Sequence, residues 1–264
     1  MKRRTRLAPV FTLFLLLATV AANSEKAPFN YEPSLAKRII YSGVVCSATI
    51  VSTHKLATKK VIGGSERNEY IAEATVDKVF KGTLGSPQIA FRYYDFSSHP
   101  TEYFGPPIAF FEKESRYLIF LNHTGHDLEV AVPVWQMEIA LAPRSQSNLA
   151  SDLSSPTGIA DELFYAVRAR PKTIGRSASH YFSWAEEVIG KDGAILAVEP
   201  FLASDDELVK YQAAWWLSFR RLNDSVMNAL VSTKNNPTIE EWARSGAEQR
   251  LKDIYQGLWV PTLK

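Results

Sequence analysis

Between residues 38 and 141 β-branched and aromatic residues dominate and recur at period two in separate runs, the spacing of strands that bury one face. "RIIYSGVVCSATIVST" (38–53) predicts a long first strand with Gly43 as a bulge or bend point. "EYIAEATVDKVFKG" (69–82) sets Ile71, Glu73, Thr75 and Asp77 against Ala72, Ala74, Val76 and Lys78, and a turn from Gly82 to Gly85 ends it. "PQIAFRYYDF" (87–96), "SRYLIFL" (115–121) and "LEVAVPVWQMEIAL" (128–141) supply three more strands, the last interrupted by Pro133 as suits an edge or bulge. The pattern then changes. "SQSNLASDLSSPTG" (145–158) holds five serines, a proline and a glycine, the composition of a linker. Beyond it apolar residues recur three and four apart, as on helices. The chain therefore divides into an all-β domain (23–144), a Ser-rich linker (145–158) and an all-α domain (159–264). Five strands in about 110 residues, the first long and glycine-bent, fit a small closed Greek-key barrel.

The first 22 residues change the picture of compartment and charge. Lys2, Arg3, Arg4 and Arg6 precede the apolar run "LAPVFTLFLLLATVAA", the form of an export signal, with cleavage expected after Ala22. The run is shorter than the roughly 20 residues a spanning helix needs, and only an uncleaved signal would tie the protein to a membrane. Four of the 30 Lys and Arg lie in this segment, leaving 26 against 28 Asp and Glu, so the mature chain is near −2. It has no global electrostatic reason to seek nucleic acid or an anionic membrane. Cys46 is the single cysteine and excludes an internal disulfide, which favours a bacterial periplasmic or secreted protein over a small eukaryotic secreted domain.

"YSGVVCSATIVS", "ATVDKVFKGTLG" and "ESRYLIFLN" together resemble the OB-fold domains of the netrin-module and tissue-inhibitor-of-metalloproteinases type. A strand ending in a Lys-Gly turn and a later "rYLiFl" strand recur in them, and the resemblance covers about residues 34–141. The inhibitors of that group bind a protease metal through an amino-terminal cysteine. This mature chain would begin "NSEKAPFNYEP", so the inhibitory mechanism is not implied. "AVEPFLASDDELVKYQAAWWLSFRRL" (197–222) resembles the second helix of a HEAT-type repeat, with Ser204 or Asp205 as its cap and "DGAILAVEPFLAS" as a first helix, although a compact bundle fits the spacing equally well.

Candidate chemistry is sparse. His123 and His126 form the one close histidine pair, followed by Asp127, and would be metal ligands if a third group joined them. The strand before them and Gly125 favour a hairpin turn instead, and no metal or other cofactor is expected. No G-x-S-x-G, H-E-x-x-H or comparable nucleophile setting occurs. Cys46 reads as a buried small hydrophobe. The best binding feature is "FRYYDF": Phe91, Arg92, Tyr93, Tyr94 and Phe96 interleave aromatics with a cation on the strand that OB-folds use for stacking, and the alternative is that one face of it is simply core. Tyr103 and Phe104, in an aromatic and proline loop, would extend that surface, and Trp216, whose neighbour Trp215 cannot share its face, would mark a second. These features point to an exported, non-enzymatic binding protein with a protein partner at the envelope or outside the cell. The alternative is an envelope polysaccharide-binding protein or hydrolase acting through the aromatic strand.

Overall fold

The computed structural model describes residues 34–62, 65–96, 111–131, 139–144 and 156–258, all within the compact unit Pro33–Lys264. After one short helix a sheet comes first and the remaining helices follow it. Among the described residues no helix is long and apolar enough to cross a membrane.

The chain enters through a helix where the β-branched run predicted strand. Helix α1 (Leu35–Tyr41) is capped by the Ser34 hydroxyl, which accepts from the Lys37 amide, and buries Leu35 and Arg38, three apart on one face. The cap and this spacing outweigh the strand preference of Ile39 and Ile40. Strand β1 (Val44–Ile62) starts only after Gly43, whose amide donates to Asn122 Oδ1 at 2.6 Å.

Strand β2 (Ser65–Lys81) pairs antiparallel with β1, then β3 (Gln88–Phe96) with β2. Strand β4 (Arg116–Thr124) pairs antiparallel with β1, matching Val44 with Leu121 and Thr49 with Arg116, and turns back into β5 (Asp127–Val130). Strand β5 runs parallel to β3 at Phe91–Leu128 and Arg92–Glu129, so the pairing forms a closed circuit β1–β2–β3–β5–β4–β1. A short β6 (Ile139–Leu141) lies on the other side of β4. The segment expected as one strand over 128–141 is thus two, and residues 132–138, including Pro133, are outside the described residues.

The Lys-Gly end of β2 has a mechanical role. Lys81 Nζ donates to the carbonyls of Ile39 and Ile40 at 2.6 and 3.0 Å, closing the C-terminus of α1 with a cation where the helix dipole is negative. Gly82 has φ +77°, and a Cβ there would lie 2.2 Å from the Gly43 carbonyl oxygen. Only glycine permits both the conformation and the approach.

"RYLIFL" explains why the sheet and the helices share their interior. Tyr117, Ile119 and Leu121 face a cluster inside the circuit with Cys46, Ile50, Ala72, Phe91 and Tyr93. Leu118 and Phe120 face the other way, into a second cluster with Val45, Phe80 and the helices. A strand buried on both faces reads as a continuous apolar run. Helix α2 (Pro156–Ala169) covers that second side and packs on α4 (Ala178–Val198), to which α1 also donates through Ala36 N and Glu187 Oε2 at 3.0 Å. Residues 145–155 of the expected linker lie outside the described residues, whereas Pro156 to Gly158 already form the first turn of α2.

Between α2 and α4 come a single turn, α3 (Pro171–Ile174), and a 3-10 turn at Gly175–Ser177. Helix α4 is broken at Gly190, whose φ of 77° and ψ of 165° are accessible to glycine, so "DGAILAV", expected as part of a separate first helix, continues α4 across a kink. A 3-10 turn, Glu199–Ala203, leads to α5 (Glu207–Ser218), then α6 (Asp224–Asn235) and α7 (Glu241–Tyr255), each packed on the helix before it. Asp206, rather than Ser204 or Asp205, caps α5: its Oδ1 accepts from Leu208 N and Val209 N at 3.1 and 3.0 Å.

At the sheet–helix contact sits a buried ion cluster. Arg116 Nη1 and Nη2 donate to the two Glu162 oxygens at 2.7 and 3.1 Å, Nε donates to Asp77 at 2.8 Å, and Nη2 also reaches Ser47 Oγ at 3.0 Å. Arg144 lies 3.0 Å from Asp161 and 3.4 Å from Glu162. Tyr181 adds a bond from its hydroxyl to the Ala140 carbonyl at 2.8 Å.

Candidate functional site

Strand alternation divides "FRYYDF" between two environments. Phe91 and Tyr93 point into the circuit, where Phe111 meets both rings edge-on at 5.1 and 5.0 Å and Tyr93 stacks on Tyr70 at 5.1 Å. They are core, and their burial area is what the aromatic content supplies. Arg92 and Tyr94 take the opposite sense, over the ladder that β3 makes with β2 and β5. Phe96 belongs to β3 by its backbone, and its side chain is not among those described. Tyr103 and Phe104 fall outside the described residues.

Around Arg92 and Tyr94 the register assembles a polar network from four strands. Cross-strand pairing sets Glu69 opposite Tyr94 and Glu129 beside Arg92. Arg92 donates to Glu69 Oε1 and to Asp127 Oδ2, both at 3.0 Å, so the residue that begins β5 holds one edge of the guanidinium and a β2 carboxylate the other. Glu69, only 2% exposed, also accepts from Thr58 Oγ1 and has Lys60 Nζ at 3.8 Å. Lys60 Nζ donates to the Tyr94 hydroxyl at 2.7 Å, and that hydroxyl donates to Glu129 Oε1 at 2.5 Å. Arg92, with 38% of its side chain exposed, meets solvent together with Lys60 and Asp127, while Glu69 lies beneath them.

The electrostatics follow from these contacts. Burial by itself would raise the Glu69 carboxyl, but the hydrogen bonds from Thr58 and Arg92 and the charges of Lys60 and Arg92 outweigh it and hold the group below its ordinary 4.5. Burial, reinforced by the bond to Glu129 and its charge, pushes Tyr94 above the usual phenol range, so it stays a neutral donor. The hydrogen bond with Glu69 comes first among the contacts that keep Arg92 charged. A depressed Glu69 is anionic at neutral pH, the opposite of a general acid.

This sets a pH signature. A folded carboxyl held below its unfolded value contributes stability that is present above the unfolded value and is lost as pH falls through the folded one. Wild type and Glu69→Gln should therefore differ most near neutrality, the wild type being the more stable, and converge as the solution is acidified below 4.5. Urea midpoints from about pH 7 down to about pH 3 measure this. A gap that stays constant across that range would mean that Glu69 is not held by its cations.

The remaining candidates fall elsewhere. Gly125, at φ +65°, opens the two-residue turn between β4 and β5, as a hairpin with glycine at its first central position requires. His123 and His126 on that hairpin are both exposed, and among the described residues no group of three His, Cys, Asp or Glu side chains is placed to hold a metal. Cys46 is fully buried, and burial, with the Asp77 charge adding to it, pushes its thiol up to about 12. Trp216 lies in the helical core at 2% exposure, not on a groove: its Nε1 donates to Ser183 Oγ at 3.1 Å and the Arg220 guanidinium covers its ring at 3.8 Å. Helix α5 is enclosed by α4, α6 and α7, so Trp215 also finds neighbours, in Tyr211 and Phe219.

Ser52, His54 and Glu73 meet on an exposed part of the β1–β2 ladder, with Ser52 Oγ 3.1 Å from His54 Nε2 and 2.7 Å from Glu73 Oε2. The carboxylate binds the serine and not the far nitrogen of the histidine, so it competes for the hydroxyl proton where a catalytic triad would have it orient the base.

Lys60, Glu69, Asp127 and Glu129 escaped sequence reasoning because only the register brings them together. The signal available was the polar alternation on either side of "RYY". Compared with known family models and with curated proteins, the chain matches none.

Proposed function

We propose that the chain is an exported binding protein: an OB-type barrel of the netrin-module kind with a helical-repeat-like domain after it, engaging a protein partner at the cell envelope or outside the cell through the side of β3 that carries Arg92. The strand order 1-2-3-5-4-1, with its parallel β3–β5 contact, supports the barrel reading, and the stepwise packing of α4 to α7 supports the helical one. The observation that carries the function is Arg92. A guanidinium fixed on two sides by carboxylates keeps its exposed N–H groups aimed outward with little rotamer entropy left to lose, which suits it to meet acidic or carbonyl groups of a partner.

The polysaccharide alternative asks more of this strand than it offers. Sugar stacking needs an exposed aromatic face, and Phe91, Tyr93 and Tyr94 are all buried. A hydrolase needs one protonated carboxyl, and Glu69 is shifted the other way.

Affinity capture from native envelope extract with the mature chain tests the proposal. Wild type should retain a discrete protein that Arg92→Gln retains about tenfold less, a loss in keeping with a charged interfacial contact. Retention of the same proteins by wild type and variant, or release of reducing ends from envelope polymers by the wild type, would point away from a protein-binding β3.

A further inference from the structure

A cavity of about 360 Å³ opens between α2, the Glu199–Ala203 turn and the start of α5, lined by Val167, Arg168, Pro200, Phe201, Asp205 and Val209 among others. This is a size that small ligands occupy. Its apolar lining is Pro200 and Ala203, both exposed, with the edge of the Phe201 ring between them, while Val167 and Val209 are core residues beneath. Two charges of opposite sign stand at its wall, Arg168 from the last turn of α2 and Asp205 from the loop before α5.

Neither charge is consumed by the fold. Among the described residues Arg168 makes no ion pair, and its guanidinium is held 5.6 Å above the Phe201 ring, where the ring face steadies it without neutralising it. Asp205 likewise has no charged partner there, in contrast to the next residue, Asp206, whose carboxylate is used by the amides of Leu208 and Val209. The amides at the start of α5 are therefore already satisfied and do not constitute the site. What is left is an apolar floor between an uncommitted cation and an uncommitted anion.

We propose that this cavity binds a small zwitterion with an apolar side chain, an amino acid or a short peptide. Its carboxylate meets Arg168, for which the guanidinium fork is the matching donor, its ammonium meets Asp205 with the Asp206 charge behind it, and its aliphatic or aromatic part covers Pro200, Ala203 and the edge of Phe201. A ligand with one charge leaves the other wall group unanswered, and a ligand without apolar surface leaves the floor wet. The site lies on the helices, apart from Arg92, and does not rest on the β3 reading.

Calorimetric titration of the full mature chain decides it, with L-leucine and the dipeptide Leu-Leu as probes, and 4-methylpentanoate and isoamylamine as analogues lacking the ammonium and the carboxylate. At least one zwitterion should bind with Kd of about 1 mM or tighter and each single-charge analogue about tenfold more weakly. Arg168→Met should weaken the zwitterion about tenfold and leave isoamylamine unchanged, and Asp205→Asn should weaken the zwitterion and leave 4-methylpentanoate unchanged. Both side chains are exposed, so unchanged thermal midpoints will verify the variants. The preference between leucine and Leu-Leu says which source the site is shaped for, and either supports the proposal. Absence of binding by both zwitterions at about 10 mM, or equal binding by wild type and Arg168→Met, overturns it.

Discussion

Replacing Arg116 by methionine should lower the stability of the whole folded unit by about 3–5 kcal/mol. The argument is one of stranded charge. Arg116 and Glu162 are each 2% exposed in their side chains, and Arg116 also answers Asp77. Burial by itself weakens the guanidinium's hold on its proton, and the hydrogen bonds and charges of Glu162 and Asp77 more than offset this. Without the guanidinium, Glu162 retains among the described residues only Arg144 at 3.4 Å, and a buried carboxylate so placed must either take up a proton or draw in water. Against a total stability of about 5–15 kcal/mol the loss is large, on the order of 10 °C in melting temperature for a chain of this length. Adding Glu162→Leu to Arg116→Met should recover part of it, because an apolar pair of similar volume replaces a buried ion pair at little cost. A single variant within about 1 kcal/mol of wild type would show that the cluster is solvated in solution.

Gly82→Ala should be nearly as damaging, for a reason of geometry and not of charge. A left-handed backbone costs an L-residue about 1–2 kcal/mol, and displacement of a packed neighbour adds about 1–3 kcal/mol. Here the neighbour is backbone, the Gly43 carbonyl 2.2 Å from the new Cβ, and it cannot rotate away. Moving it shifts the start of β1 and pulls Lys81 from the α1 carbonyls. Gly125→Ala is the control: its φ is +65° but nothing lies within 4 Å of the added carbon, so only the conformational cost of about 1–2 kcal/mol should appear. Denaturant midpoints for the two variants should therefore differ clearly, and equal losses would refute the close approach at Gly43.

The parts of this architecture that local spacing could reveal were those whose cause is local. "RYLIFL" announces a strand, though not that both its faces are buried, and the hairpin at Gly125 follows from a glycine between two strand patterns. Helix α1 was hidden because Ile39, Ile40 and Tyr41 carry strand preference, while the decisive facts, the Ser34 cap and the Lys81 bonds to its last carbonyls, come from a neighbour and from a residue forty positions away. The same distinction governs the candidate site. The aromatics of "FRYYDF" are conspicuous in sequence and turn out to be mostly interior, because a closed circuit needs large side chains to fill it. Lys60, Glu69, Asp127 and Glu129 look like ordinary strand charges until the β2–β3 and β3–β5 registers place them around Arg92. Trp216 illustrates the limit of helical-face reasoning, since a helix packed on three sides has no outward face to assign.

The circuit has a kinetic corollary. Helices α2 to α7 each pack on near neighbours in the chain, but β1 must find β4 across the whole intervening ladder, aligning residues 44–49 with 116–121. Loop closure of that span is the slow entropic step, and topologies dominated by such distant pairings fold on the long side of the range. Leu118 and Phe120 are the floor on which the helices rest, so the helical half can acquire its secondary structure early and still have nothing to dock on until β4 is seated. Refolding should thus show fast recovery of helical signal ahead of a later burial of Trp184 and Trp216 in the interior shared with the sheet, with the seating of one nine-residue strand setting the pace for both halves.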